Sequence, residues 1–317
     1  MSSVTLTELR PGLHRITHPL PFALNHVHCY AVAGADGLTL IDAGLGDSGA
    51  VTRWREALEL LGQPSVARVV FTHFHPDHVG AGAVLVALTE PSEVVQGRLD
   101  SEICRDAWSR EIDTPLARHM SAHGMPAEVL AAVMTERAGL PIAPAVPTRL
   151  VDEGDVLEIG GEPFHVLVLP GHADGHIALL GERSGVLLAG DVLLDPITPN
   201  IGRWPEAEED PLGSYLATLE RLQGLAPSVA YSGHQRVIED VAGRARDVVE
   251  HHGHRLEIAA GAVADGARTA YDVARAIWGD SLGPHEMRFG VVEALAHLVR
   301  LEREDRVVYR EGAWSLR

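Results

Sequence analysis

The 317-residue chain predicts an α/β protein in four layers, an αββα sandwich of two sheets packed face to face between helices, followed by a small helical tail. Three observations carry this expectation. Apolar runs of strand length alternate with stretches of helical spacing over residues 1–250. Histidines and aspartates stand just beyond the ends of several of those runs. From about residue 251 the order becomes helix, helix, helix and hairpin.

Taken in order, Gly12–Thr17 reads as a strand and Pro19-Leu20-Pro21 as a corner. His28–Ala33 and Leu38–Asp42 form a strand pair around the turn Gly34-Ala35-Asp36-Gly37. Thr52–Leu61 has helical spacing and stops at Gly62. Val66–Thr72 is a short apolar run of the kind a buried strand needs, and Val79–Leu88 reads as a helix. Residues 91–147 change character: Ser101–Arg110 and Pro126–Ala138 read as helices, closed by Pro141, Pro144 and Pro147. Such an insertion suits a helical lid over a pocket. Its Trp108, Met120, Met125 and Met134 read first as residues that pack these helices together. Strands resume at Val156–Ile159, Pro163–Leu169, Ile177–Gly181 and Val186–Gly190. After the loop Asp195–Pro211 come a helix at Leu212–Leu222 and a strand at Val229–Ser232.

In the tail, Arg255–Val263, Thr269–Trp278 and His285–Glu302 have helical patterns, and Arg306–Tyr309 with Ala313–Leu316 make a hairpin around Glu311-Gly312. The order is winged-helix-like, so the division expected is a catalytic domain over 1–250 and a small winged-helix-like domain over 251–317. That tail carries nine arginines against ten acidic residues, a net of -1. A winged helix that grips DNA should be clearly basic, so packing or self-association is the expected role, with a homodimer left open. The whole chain, at a net charge of -18, repels a polyanion, and nucleic acid is not expected as a partner.

All 26 basic residues are arginine, which excludes a Schiff-base lysine. The two cysteines, Cys29 and Cys104, are too few and too far apart in sequence to suggest a disulfide framework. Met1–Arg10 has no signal-peptide pattern and no apolar run reaches membrane length, so a cytoplasmic protein without membrane contact is expected.

The chemistry concentrates in Thr72-His73-Phe74-His75-Pro76-Asp77-His78. His73 and His75 leave a strand two residues apart, so one turn can aim both imidazoles at one ion, and Asp77 and His78 can serve a second. Zinc favours such nitrogen and carboxylate ligands, and a catalytic zinc keeps one position open. Three further candidates, His172, Asp191 and His234, each follow an apolar run and a glycine, which lets the backbone come close to a crowded centre.

This set resembles the metallo-β-lactamase superfamily, whose five motifs match His73, His75, Asp77 and His78, then His172, Asp191 and His234, with Asp42 at the first. The likeness spans about residues 10–240 and is closest to the glyoxalase II and lactamase-beta-like branch with an appended C-terminal domain. It implies the metallo-β-lactamase fold and one metal on His73, His75 and His172. A second would sit on Asp77, His78 and His234, with Asp191 between the two and Asp42 supporting from behind. The resemblance implies two Zn2+, with iron or manganese as alternatives, and a metal-bridging hydroxide that attacks a small-molecule ester-type bond, thioester or lactone foremost. Asp77 and Asp191 are the carboxylates expected to take part in the reaction. An RNA or DNA endonuclease of the lactamase-beta-like kind remains the alternative, since the same site cleaves phosphodiesters. A β-lactamase is a lesser one, because penicillin-cleaving members often replace an acidic or final histidine ligand, whereas all seven positions here are Asp or His.

Weaker signals surround this set. His176 is expected either to orient a ligand from behind or to be an ordinary buried histidine. Asn25, His26 and His28 read as turn or cap residues first, with a place facing the substrate as the alternative. His251, His252 and His254 are expected to be solvated, as is the run Glu206–Asp210. Pro196–Asn200 and Trp204 are placed beside Asp191 as a pocket wall.

Overall fold

The computed structural model describes residues 4–109, 113–279 and 282–317. Seven strands form the first sheet: β1 (Thr5–Arg10), β2 (Leu13–Pro19), β3 (His26–Gly34), β4 (Gly37–Ile41), β5 (Val66–Phe71), β6 (Glu93–Gly97) and β7 (Arg149–Val151), in that spatial order. Pairing is antiparallel from β1 to β4 and parallel from β4 to β7. The second sheet holds β8 (Val156–Ile159), β9 (Glu162–Val168), β10 (Ile177–Gly181), β11 (Val186–Gly190) and β12 (Val229–Ser232), in the order β12-β11-β10-β9-β8.

Side-chain alternation along the strands builds the layers. Tyr30 and Val32 of β3 meet Phe164, Val166, Leu179 and Leu188 of the second sheet. Cys29 and Ala31, on the other face, pack beneath α1 (Ala50–Leu60), α3 (Gly82–Thr89) and α4 (Arg98–Ala107) through Trp54, Leu85 and Cys104. Trp54 is fully buried, and its indole N–H donates to the Ala43 carbonyl at 2.8 Å, pinning the chain just past Asp42. Both cysteines are buried and free.

The outer face of the second sheet meets a larger core. α7 (Pro211–Leu225), α8 (Val241–Ala264), α9 (Ala270–Trp278) and α10 (Pro284–Arg303) bury Tyr215, Leu219, Ala259 and Leu295 there. The hairpin β13 (Val307–Arg310) and β14 (Ala313–Leu316) ends the chain. α5 (Asp113–Ala122) and α6 (Ala127–Ala138) join the same core through Met120, Met125 and Val133, with Met134 packed against it. The methionines are packing residues, whereas Trp108 reaches a cavity.

The architecture is the expected one, with local differences. The stretch from 91 begins as β6, a strand inside the first sheet, before the helices α4, α5 and α6 follow. Its five residues, Glu93-Val94-Val95-Gln96-Gly97, are too few and too polar at the ends to stand out by period. β1, β7 and α5 also go beyond the sequence reading. Arg110, the last residue of the expected helix Ser101–Arg110, lies outside the described residues. α8 starts at Val241, where the Asp240 carboxylate accepts the Gly243 N–H at 2.8 Å, so residues 250 and 251 lie within one helix. His252 is correspondingly not solvated: it is fully buried, with Nδ1 3.3 Å from His297 Nε2 and its ring edge-on to Tyr215. A helix begun earlier turns a face inward that the histidine run alone does not reveal. Among the described residues no helix is long and apolar enough to cross a membrane.

Candidate metal centre

The eight residues that match the motifs stand where strands end. Asp42 follows β4, and His73, His75, Asp77 and His78 occupy the turn after β5 and the short helix α2 (Pro76–Val79). His172 follows β9, Asp191 follows β11 and His234 follows β12. Parallel and crossover connections bring these ends to one rim of the sandwich. Asp42 adopts a left-handed backbone, φ 62°, a conformation that aspartate tolerates better than most side chains.

The residues converge in three overlapping groups, His73–His75–His172, His73–His78–Asp191 and Asp77–His78–His234, each with its ligand-type atoms within 4.8 Å of one another. His234 Nε2 lies 3.2 Å from both Asp77 Oδ2 and Asp191 Oδ2, and His78 Nε2 lies 3.5 Å from Asp191 Oδ1. His172 Nε2 is 3.7 Å from Asp191 Oδ2. Asp191 thus touches both halves of the cluster.

Hydrogen bonds on the outer nitrogens set the tautomers. Thr72 Oγ1 donates to Asp42 Oδ2 at 2.8 Å and so accepts from His73 Nδ1 at 3.0 Å. His78 Nδ1 donates to the same Asp42 oxygen at 2.8 Å, while Asp42 Oδ1 takes the Thr72 backbone N–H at 2.8 Å. His172 Nδ1 donates to the Asn200 carbonyl at 2.9 Å, and His234 Nδ1 to the His26 carbonyl at 2.8 Å. In all four rings Nδ1 is taken up by this outer hydrogen bond, so Nε2 is the nitrogen that faces inward. His73 Nε2 and His75 Nδ1 point at each other across 3.1 Å.

The donor set fits a metal. His78 Nε2, His172 Nε2 and Asp191 Oδ1 are buried without a hydrogen-bond partner, and such orphans are costly unless something cationic meets them. The titration behaviour agrees. Burial, then the neighbouring His78, holds His73 well below 6.5, and burial with His172 does the same for His75, leaving both lone pairs free. Burial would raise the Asp191 carboxyl, but His234 and His78 beside it hold it well below the usual range. Burial would lower His234, yet Asp191 and Asp77 push it up to about 10. The buried Asp191 and half-buried Asp77 carboxylates draw positive charge into this spot.

His176 is a positioning group: its Nε2 accepts the Asp191 backbone N–H at 3.1 Å. A Cβ on Gly190, at φ +50°, would come within 2.6 Å of that nitrogen and 2.8 Å of Thr72 Oγ1, so only glycine fits there. His26 and His28 bind the loop after β12, through Gln235 N to His26 Nε2 at 3.0 Å and His28 Nε2 to the Gln235 carbonyl at 2.9 Å. Sequence reasoning gave Thr72 and Asp100 no role and read Asn200 only as part of a pocket wall. Asp100 is fully buried and receives the Phe74 N–H at 2.9 Å and Gln96 Nε2 at 2.6 Å, shaping the His73–His75 turn. Only Thr72 carried a signal, a hydroxyl directly before the histidine run.

His75, Asp77, His172, Asp191 and His234 of the cluster line a cavity of about 330 Å³. Ile197, Pro199 and Trp204 line it as expected, joined by Phe22, Trp108 and Phe289. Glu206 lines it too while staying exposed to solvent, as expected of the acidic run. Asp210 from that run caps α7 by accepting the Gly213 N–H at 2.9 Å.

Residues 23–234 match the Metallo-beta-lactamase superfamily. The chain belongs to that superfamily. Residues 256–316 match the "Metallo-beta-lactamase-like, C-terminal domain" family. A crystal structure of a metallo-beta-lactamase family protein from Thermus thermophilus superposes with a TM-score of 0.85 at 33% identity, covering 98% of this chain and 100% of that one. The "Probable metallo-hydrolase YqjP" of Bacillus subtilis is 29% identical over 93% of both chains. The "Acyl-coenzyme A thioesterase MBLAC2" of Gallus gallus is 29% identical over 54% of this chain and 59% of its own length. As a member of the metallo-beta-lactamase superfamily with its His/Asp groups assembled, the chain is a metal-dependent hydrolase.

Proposed function

We propose that this metallo-beta-lactamase superfamily member is a dinuclear zinc hydrolase of a small ester-type substrate, a thioester ahead of a lactone. The observation that carries the reading is the seven-residue cluster, five members of which form the floor of a mostly apolar cavity of about 330 Å³, a size suited to one small acyl group. In this assignment His73, His75 and His172 would hold one ion and Asp77, His78 and His234 the other, with Asp191 placed to serve both. Similarity to an acyl-coenzyme A thioesterase supports the choice of bond.

Bound there, the ions would supply Lewis acidity that brings the pKa of a water toward ~7, so that a nucleophile is available at neutral pH. The chain's own groups do the rest. Burial would raise Asp77, but His234 and His78 hold it at about 2, so it stays ionised and orients the attacking water as a hydrogen-bond acceptor. The water oxygen bonds to the carbonyl carbon, the carbon–sulfur bond breaks, and thiol and carboxylate leave. The apolar walls exclude bulk water, which strengthens each charge interaction at the floor.

One experiment tests this: measured metal content together with turnover of thioester, lactone, β-lactam and phosphodiester substrates, with Asp191→Ala in parallel. The expected result is about two zinc ions per chain, thioester or lactone turnover, and loss of turnover in the variant and on chelation. Turnover of phosphodiesters alone would overturn the substrate assignment, and full activity after chelation would overturn the mechanism.

A further inference from the structure

Arg288, near the start of α10, is 7% exposed and lines the same cavity as Asp77, His172 and Asp191. Its guanidinium lies 4.5 Å from the Phe289 ring centroid and 5.9 Å from that of Trp204. Its Nε is buried with no hydrogen-bond partner, and among the described residues no hydrogen bond or ion pair reaches the guanidinium. Arg53, also buried, is satisfied differently: it pairs with Asp47 at 2.6 Å. Burial, helped by nearby Arg137, lowers the Arg288 pKa only to about 10, so it is charged at neutral pH.

A buried, unpaired guanidinium is unfavourable, and two aromatic rings offset only part of that. The planar fork of donors matches two oxygens of a carboxylate or phosphate. Glu206 and Glu286 also line the cavity, yet neither pairs with it. In a chain of net charge -18, Arg288 and Arg137, which also lines the cavity, are local cations that would favour an anion there.

We infer that Arg288 receives an anionic group of the substrate, a carboxylate or phosphate, so that the C-terminal segment selects what the metal cluster cleaves. This rests on the ester-hydrolase reading above.

The test uses the full chain as wild type, Arg288→Met and Arg288→Lys. Two substrate pairs are compared: glutaryl against valeryl thioesters of N-acetylcysteamine, and butyryl-coenzyme A against butyryl-N-acetylcysteamine. The first pair reads a carboxylate, the second a phosphate. Wild type should favour the anionic member of one pair by about 10- to 100-fold in kcat/KM, as losing one charge-assisted contact implies. Arg288→Met should lose that preference mainly through KM, and Arg288→Lys should keep part of it. Arg288→Met should also melt no lower than wild type, because it removes an unpaired buried charge. No anionic preference in wild type, or an equal loss on both members of a pair in Arg288→Met, overturns the inference. So does a much lower melting point with the preference intact. Should no thioester be hydrolysed, the ester reading fails, and calorimetric titration of glutarate and of inorganic phosphate still decides this point. Binding to wild type that is weakened in Arg288→Met supports it, and equal or absent binding overturns it.

Discussion

Asp42 organises the metal-type cluster from behind. One oxygen receives the Thr72 backbone N–H, and the other receives the Thr72 hydroxyl and His78 Nδ1. Replacing it with asparagine puts an amide donor where an acceptor is needed. Asp42→Asn should weaken metal affinity or activity by about 10- to 100-fold, checked by titrating metal into the stripped protein. The ligand-type residues were legible because each sits next to a strand end in a local pattern. Thr72, Asp100 and Asn200 were not, because what makes them matter is a partner brought near by folding; for Asn200 it is His172, across 28 residues.

At the scale of elements, α10 reaches from the C-terminal segment to the floor of the cavity. Glu293 on this helix accepts from Asn200 Nδ2 at 2.7 Å, and the Asn200 carbonyl orients His172. Burial raises the Glu293 carboxyl from 4.5 to about 7, against the Asn200 hydrogen bond that lowers it. A raised acid binds more protons folded than unfolded in that window. Its stabilising contribution is therefore complete below about 4.5 and declines as pH rises toward 7. Glu293→Gln keeps an acceptor for Asn200 but does not titrate. The melting-temperature advantage of wild type over Glu293→Gln should shrink between pH 5 and pH 7; a difference constant across that range would refute it. Trp54 gives a second expectation at this scale. It locks α1 to the loop after Asp42, so Trp54→Ala should cost about 3–5 kcal/mol by denaturant unfolding.

For the whole molecule, metal and fold are linked, because His78 Nε2, His172 Nε2 and Asp191 Oδ1 are buried without a hydrogen-bond partner and a bound cation would satisfy them. Chelation should lower the melting temperature by on the order of 10 °C, read by calorimetry with and without excess zinc. The acidic surface leads to a further expectation: single-stranded RNA should show no salt-sensitive binding at about 0.15 M salt, measured by fluorescence anisotropy. The α/β sandwich, the order of its main strands and the residues gathered at its rim could all be derived from the linear chain, since period, strand-end glycines and ligand spacing are local properties. The tertiary structure alone revealed that β6 belongs inside the sheet, that His252 is buried, and that Arg288 of the C-terminal helix faces the same cavity as the metal cluster. Those facts depend on which surfaces meet across long stretches of chain, and burial and charge pairing are set there, not by neighbours in sequence.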